Sequence, residues 1–171
     1  MKKITIFLIT VLAIATSCKK EEVQSFEGDY TFKIGGHVEI AGKLRSQNGK
    51  ASVDTVFVRY LPNEIGQMHI VQTNHNCYKV TVDAIGGAPL LFDATVSDGT
   101  LNLVPIERNM FVYHDISTIL PETQTKLTVG GEGHLYNNLL IINLAVTGKY
   151  EYLLLQGDVI RSNVNCIAKK R

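Results

Sequence analysis

The sequence predicts an all-β domain: an antiparallel up-and-down meander of about eight to ten strands that closes into a barrel. Three observations predict it. After residue 26 no long segment carries an apolar stripe at helical spacing, whereas two-residue alternation of Val, Ile, Thr, Tyr and Phe recurs throughout. The connections between these runs are short and rich in Gly, Asn, Asp and Ser. No stretch has the length and pattern of a crossover helix, so neighbouring strands are expected to run antiparallel, and closure would remove the exposed edges of so long a meander.

Tyr30, Phe32 and Ile34 alternate with Thr31 and Lys33. Gly35-Gly36 reads as a tight turn, with Val38, Ile40 and Leu44 resuming the pattern as the second arm of a hairpin. Residues 53–60 and 67–73 read as two further strands, separated by Leu61-Pro62-Asn63-Glu64-Ile65-Gly66. Residues 77–84 follow the Thr73-Asn74-His75-Asn76 turn, and residues 89–96 and 100–106 flank Ser97-Asp98-Gly99, where Asp-Gly is the strongest hairpin signal in the chain. Residues 110–114 read as a short strand. The least regular stretch, residues 116–126, is interrupted by Pro121 and is expected to cap one end. Residues 126–136 and 139–146 meet at Asn137-Asn138, and Gly148-Lys149 turns the chain into residues 150–160. Gly130, Gly131 and Gly133 lie inside one of these runs and suit the sharp bends of barrel strands.

The first 17 residues carry a different signature. Lys2 and Lys3 precede an apolar run from residue 4 to 15, and Ala15-Thr16-Ser17 is a small-residue approach to Cys18. The run is about a dozen residues, short of the roughly 20 that a membrane-spanning helix needs, so it reads as a secretory signal. Ala15-Thr16-Ser17-Cys18 resembles the lipobox of bacterial lipoproteins. That resemblance implies cleavage before Cys18, lipidation of its sulfur, and attachment to the outer membrane on its periplasmic or cell-surface face. Residues 18–25, with Lys19-Lys20-Glu21-Glu22, then form a flexible tether, and residues 26–171 form one domain, since about 154 residues remain for a single core.

Charge excludes one class of partner. The chain has 17 basic and 16 acidic residues, and loss of Lys2 and Lys3 brings the balance close to zero. Outside the signal the basic cluster is Lys169-Lys170-Arg171, which reads as a solvated tail, so no nucleic-acid footprint is expected.

The lipoprotein signal, Phe26-Glu27-Gly28-Asp29-Tyr30 opening the first strand, the hairpin meander, a late Gly131-Glu132-Gly133-His134-Leu135-Tyr136 strand and a cysteine near the end together resemble the bacterial lipocalin-like, or calycin-like, barrel lipoproteins. The resemblance implies a barrel with an apolar interior and a tail pinned to the wall by a disulfide. Tyr30, Phe32, Val56, Val58, Tyr78, Val80, Leu90, Phe92, Leu101, Leu103, Tyr150 and Tyr152 are the candidate lining of that interior. If the barrel is wide they form a site for a small apolar molecule, and if narrow they fill it.

Cys77 alternates in phase with Lys79, Thr81 and Asp83, which places it on an outward face. Cys166 follows the last expected strand. With Cys18 lipidated, these two remain as an even pair in an oxidising compartment. A Cys77–Cys166 disulfide would close a loop of about 90 residues and contribute roughly 4.5 kcal/mol in the chain-entropy account; two separate thiols or a metal pair are the alternatives. His37, His69, His75, His114 and His134 have no fixed ligand spacing, and neither HExxH nor GxSxG occurs. Gly130-Gly131-Glu132-Gly133-His134 lacks the lysine and the following helix of a phosphate loop. No catalytic residues, metal or cofactor are therefore expected. The expected function is non-enzymatic binding of a small apolar ligand in the barrel; the alternative is a protein-interaction or inhibitor module that uses the barrel as a scaffold, with loop residues such as Glu64 or Asp115 engaging the partner.

Overall fold

A computed structural model describes residues 25–46, 52–84, 89–115, 117 and 121–171. Eight strands form a closed antiparallel ring in chain order: β1 (Gly28–Arg45), β2 (Ser52–Asn74), β3 (Cys77–Ala84), β4 (Leu90–Ser97), β5 (Thr100–Val112), β6 (Thr123–Tyr136), β7 (Leu139–Tyr152) and β8 (Leu155–Lys170). β8 pairs with β1 to close it. The expected barrel meander is thus the observed architecture. Cys18 and the tether as far as residue 24 lie outside the described residues.

Several expected turns are instead bends within long strands. Gly35-Gly36 does not reverse the chain. β1 continues through it, and opposite it β2 continues through residues 61–64: Ile34 pairs with Glu64 and Gly36 with Leu61, which leaves one extra residue in β2. Such a bulge sharpens the twist and flips the facing of every later residue. Accordingly Leu61 faces inward on one side of it, and Met68 and Ile70 on the other. Gly36 takes φ of +146°, and a Cβ there would collide with the Asn163 carbonyl of β8, so glycine is required for close approach rather than for a turn. The expected strands 100–106 and 110–114 are likewise one strand, β5, with a register shift between Leu103 and Ile106 that accommodates Pro105. Gly148-Lys149 also lies inside a strand. The chain reverses later, at Leu153-Leu154, where Leu153 holds a positive φ of 53°.

The Asn76, Asp98-Gly99 and Asn137 turns are where the residue types place them. Asn76, Asp98, Gly99 and Asn137 all have positive φ, and Asp98-Gly99 has it at both central positions, as a primed hairpin turn requires. At the glycines expected to bend a strand the structure shows close approach: Gly131 has φ of +152° and a Cβ there would collide with the Asn143 carbonyl, and a Cβ on Gly130 would lie 3.0 Å from the Pro105 ring.

The residues expected to form a solvated tail belong to β8. Lys169 pairs with Thr31 on one side and Leu139 on the other, and the Arg171 amide donates to the Asp29 carbonyl at 2.9 Å. This changes the position of Cys166. It lies between Ile34 and Ile142 on the inner face of β8, 2% exposed, whereas Cys77 is exposed beside the β2–β3 turn. Both thiols are free, and the expected disulfide is absent because the two side chains are on opposite faces of the barrel wall.

Closure depends on tight contact between β8 and β1. Gly157 pairs with Gly42, and a Cβ on Gly157 would meet the Ala41 carbonyl oxygen at 2.5 Å and Gly42 Cα at 2.7 Å. Gly157→Val should therefore destabilise the domain by about 3 kcal/mol, the upper range for overpacking a well-packed site. The midpoint of urea denaturation measures this, and an unchanged midpoint would show that the seam is loosely packed.

Candidate functional site

Two strands are much shorter than their neighbours. β3 and β4 have eight residues each, against 23 in β2 and 13 in β5. Beyond the end of this hairpin β2 and β5 come together directly: the Tyr60 amide donates to the Tyr113 carbonyl and the Tyr113 amide to the Tyr60 carbonyl, both at 2.9 Å. Between that bridge and the hairpin no strand pairs with the facing edges of β2 and β5 among the described residues, and residues 85–88, which join β3 to β4, lie outside them. A cavity of about 380 Å³ lies inside the barrel at this level.

Both ends of the barrel are filled. At the end where the chain starts, Phe26 is buried against the edge of the Tyr78 ring, with centroids 6.4 Å apart. The inward Tyr30 hydroxyl donates to the Phe26 carbonyl at 2.7 Å, and Lys170 Nζ donates to the Ser25 carbonyl at 3.0 Å. Burial pushes the Tyr30 phenol up to about 12. At the opposite end Arg59, only 4% exposed, points into the barrel. Its Nη2 donates to Glu122 Oε1 at 3.0 Å, its Nε to the Tyr150 hydroxyl at 3.2 Å and its Nη1 to the Val58 carbonyl at 2.9 Å, while Tyr150 donates to Glu122 Oε2 at 2.7 Å. Arg59 and Glu122 also form an ion pair through Nε and Oε2. The guanidinium carbon lies 4.8 Å from the Phe57 ring centroid and 5.4 Å from that of Tyr150. Among the described residues no buried side-chain nitrogen or oxygen lacks a partner. Glu122 comes from the irregular stretch expected to cap one end, of which residues 116 and 118–120 lie outside the described residues.

The cavity occupies the middle of the barrel. Met68, Val82, Phe92, Leu103, Ile142, Val164 and Cys166 contribute to its walls. Burial pushes the Cys166 thiol up to about 12, so it behaves as a small apolar group there. The rim is polar. Glu64 on β2 and Arg108 on β5, each half-buried, are its charged lining residues among those described, and Asn109 and Gln124 also line it. Burial raises the Glu64 carboxyl and the positive charge of Arg108 opposes that rise. Arg108 Nη1 also donates to the Pro89 carbonyl at 3.4 Å.

Of the expected lining residues, Leu90, Phe92 and Leu103 border this cavity. Tyr30, Phe32, Tyr78, Val80, Leu101 and Tyr150 are buried elsewhere in the core, and Tyr152 packs half-buried at its edge. Val56 and Val58 are corrected: they are 62% and 38% exposed, on the outer face. The run Thr55-Val56-Phe57-Val58-Arg59 offers two apolar residues on one face against one apolar and one charged residue on the other. Its sequence therefore argues for valines inside, but Glu122 and Tyr150 complete the environment of Arg59 and reverse the facing. Glu64, expected in a loop that engages a partner, lies instead inside β2 and lines the cavity, and Arg108 went unrecognised because no local pattern connects β5 with it.

A larger depression of about 780 Å³ lies on the outer wall, over Gly42 and Gly157, with Lys43, Asp54, Lys149, Glu151 and Asp158 around it. It is an open, charged surface groove, and the smaller internal cavity has the apolar walls and convergent polar groups of a ligand site. Of the histidines, His69 Nδ1 contacts Asp29 Oδ1 at 2.6 Å and His37 Nε2 contacts Asn163 Nδ2 at 3.0 Å, both on the exterior. Comparison with protein-family models, curated proteins and solved structures finds no match.

Removing one member of the Arg59 cluster leaves a buried charge without its partner. Arg59→Met should cost about 3–5 kcal/mol, while the Arg59→Met/Glu122→Leu double variant should cost less than the sum of the two single changes. Chemical denaturation of the four proteins gives the cycle; strict additivity would show that Arg59 and Glu122 do not act as a unit.

Proposed function

We propose that this protein is a lipid-anchored, non-enzymatic component of the bacterial cell envelope that binds a small apolar molecule inside its barrel, as a lipocalin-like carrier does. The observation that carries the reading is the internal cavity of about 380 Å³, apolar along its walls and bounded by a single polar rim. Its volume falls at the lower end of the roughly 300–1,000 Å³ typical of small-molecule sites. Phe26 fills one end and the Arg59 cluster the other, with the cavity between them.

The anchor supports the same reading from outside the described residues. Lys2, Lys3, the apolar run and Ala15-Thr16-Ser17-Cys18 specify export and lipidation, and a carrier held at a membrane meets apolar molecules where they partition.

Phenylnaphthylamine, an uncharged apolar fluorophore, should brighten on binding to the purified domain. Val164→Phe, which fills the cavity from β8, should weaken that binding by about tenfold or more, whereas Val58→Phe on the outer wall should leave it unchanged. Equal effects of the two would place the probe on the surface and refute internal binding. In a fractionation experiment Cys18→Ala should move the protein from the membrane pellet to the soluble fraction; persistent sedimentation with membranes would refute lipid anchoring through Cys18.

A further inference from the structure

The start of β7 is apolar on both faces. Leu140 and Ile142 are buried in the core, and Leu139 and Ile141 stand half-buried on the outer wall. Their neighbours extend an outer patch from β6 to β2. Tyr136 pairs with Leu139 and Leu139 with Lys169; in the next outer row Ile141 pairs with Ile167, Ile167 with Lys33 and Lys33 with Ile65. Tyr136, Ile65 and Ile167 are 59%, 56% and 49% exposed. The rest of these two rows, Thr31, Gln67 and His134, adds no acid. Elsewhere on the wall exposed lysines sit beside carboxylates, as Lys43 does with Asp54, Lys79 with Asp93 and Lys126 with Glu107. Lys33 and Lys169 have no such partner among the described residues.

The chain enters the barrel at this same end. Lys170, next to Lys169, donates from Nζ to the Ser25 carbonyl at 3.0 Å. Seven residue steps separate Ser25 from Cys18, a reach of at most about 25 Å. Lys19 and Lys20 offset Glu21 and Glu22 along it, so the tether leaves the charge of the patch uncancelled. A bilayer that holds Cys18 is therefore within reach of a wall that is both apolar and cationic. We propose that the outer wall from β7 to β1 lies against the anionic surface of that bilayer, with Tyr136 and Ile167 at the headgroup boundary and Lys33 and Lys169 on lipid phosphates. The proposal rests on the lipid anchoring in the proposed function and is independent of the internal cavity. A tyrosine ring and the long apolar stems of lysines suit such a boundary, where one end of a side chain is dry and the other wet. An anionic leaflet strengthens binding by roughly fivefold for each lysine near it. The nearest acids, Asp29 and Glu132, lie in the outer rows on either side of the patch, and Asp29 is engaged by His69.

Lysine acetylation by acetic anhydride, read residue by residue by mass spectrometry, tests this on the lipidated protein in vesicles of phosphatidylglycerol and phosphatidylcholine. The soluble Cys18→Ala protein is the reference. Lys33 and Lys169 should react about fivefold more slowly on vesicles, the factor given by a wall held down four-fifths of the time. Lys79 on β3 and Lys126 near the far end of β6 should stay within about twofold of the reference. Ile167→Asn should return Lys33 and Lys169 towards the reference rate while the protein still floats with the vesicles. Unchanged rates at Lys33 and Lys169 on floating protein would overturn the wall contact and leave the anchor standing, and so would equal slowing at Lys79 and Lys126. Slowing in the Cys18→Ala protein that deepens with its concentration would put a second copy on the wall and overturn the proposal as well. If Ile167→Asn does not fold, the wild-type pattern decides alone. Failure of the wild-type protein to float would overturn the lipid anchor and the inference with it.

Discussion

The mismatch of strand lengths around the ring organises the rest of the molecule. Eight-residue β3 and β4 cannot accompany β2 and β5 to the far end of the barrel. Past them the backbone donors and acceptors of β2 would face an unfilled gap, and Tyr60 and Tyr113 meet to satisfy each other there. Eight strands surround one half of the barrel, and on the other half β2 reaches β5 directly. The cavity lies between these two levels.

Narrowing one end changes what can fill it. The interior near the Tyr60–Tyr113 bridge is occupied by Arg59, Glu122, Tyr150 and Phe57, in which one guanidinium serves two aromatic faces, a carboxylate, a phenol and a carbonyl. A buried ion pair of this kind adds little net stability over an apolar plug of the same shape, because desolvating both charges offsets much of their attraction. Its geometric demands are stricter. It fixes the facing of β2 before the bulge and of β7 before the Leu153-Leu154 reversal, and so holds in place the walls on which the cavity depends.

Glycine supplies the other half of the construction. The Gly42–Gly157 pair lets β1 and β8 approach closely at the seam, Gly36 lets β1 pass the Asn163 carbonyl, and Gly131 lets β6 pass the Asn143 carbonyl. These are bends and close approaches in a curved wall, the devices by which a sheet closes on itself. A sheet closed in this way leaves its two ends to be filled by side chains. Phe26 fills one because the residues just before β1 turn beneath the barrel and place its carbonyl within reach of the Tyr30 hydroxyl.

The residues alone determine the all-β class, the antiparallel meander, closure, and the Asp98-Gly99 and Asn137-Asn138 hairpins, because two-residue alternation and the positive-φ preferences of Asn, Asp and Gly are local properties. They also carry Lys2, Lys3, the apolar run and Cys18, from which export and lipidation are expected. Tertiary structure decides whether a glycine pair is a turn or a bend, as at Gly35-Gly36, since that depends on what lies across the sheet. It decides that Arg59, and not Val56 or Val58, faces inward, because the partners that make burial of a charge tolerable come from distant strands. It also decides that Cys77 and Cys166 lie on opposite sides of the wall and that Glu64 and Arg108 share one rim. Each of these outcomes depends on strand register and on where the ring closes, which are set by contacts between residues far apart in the chain and leave no mark in any short stretch of it.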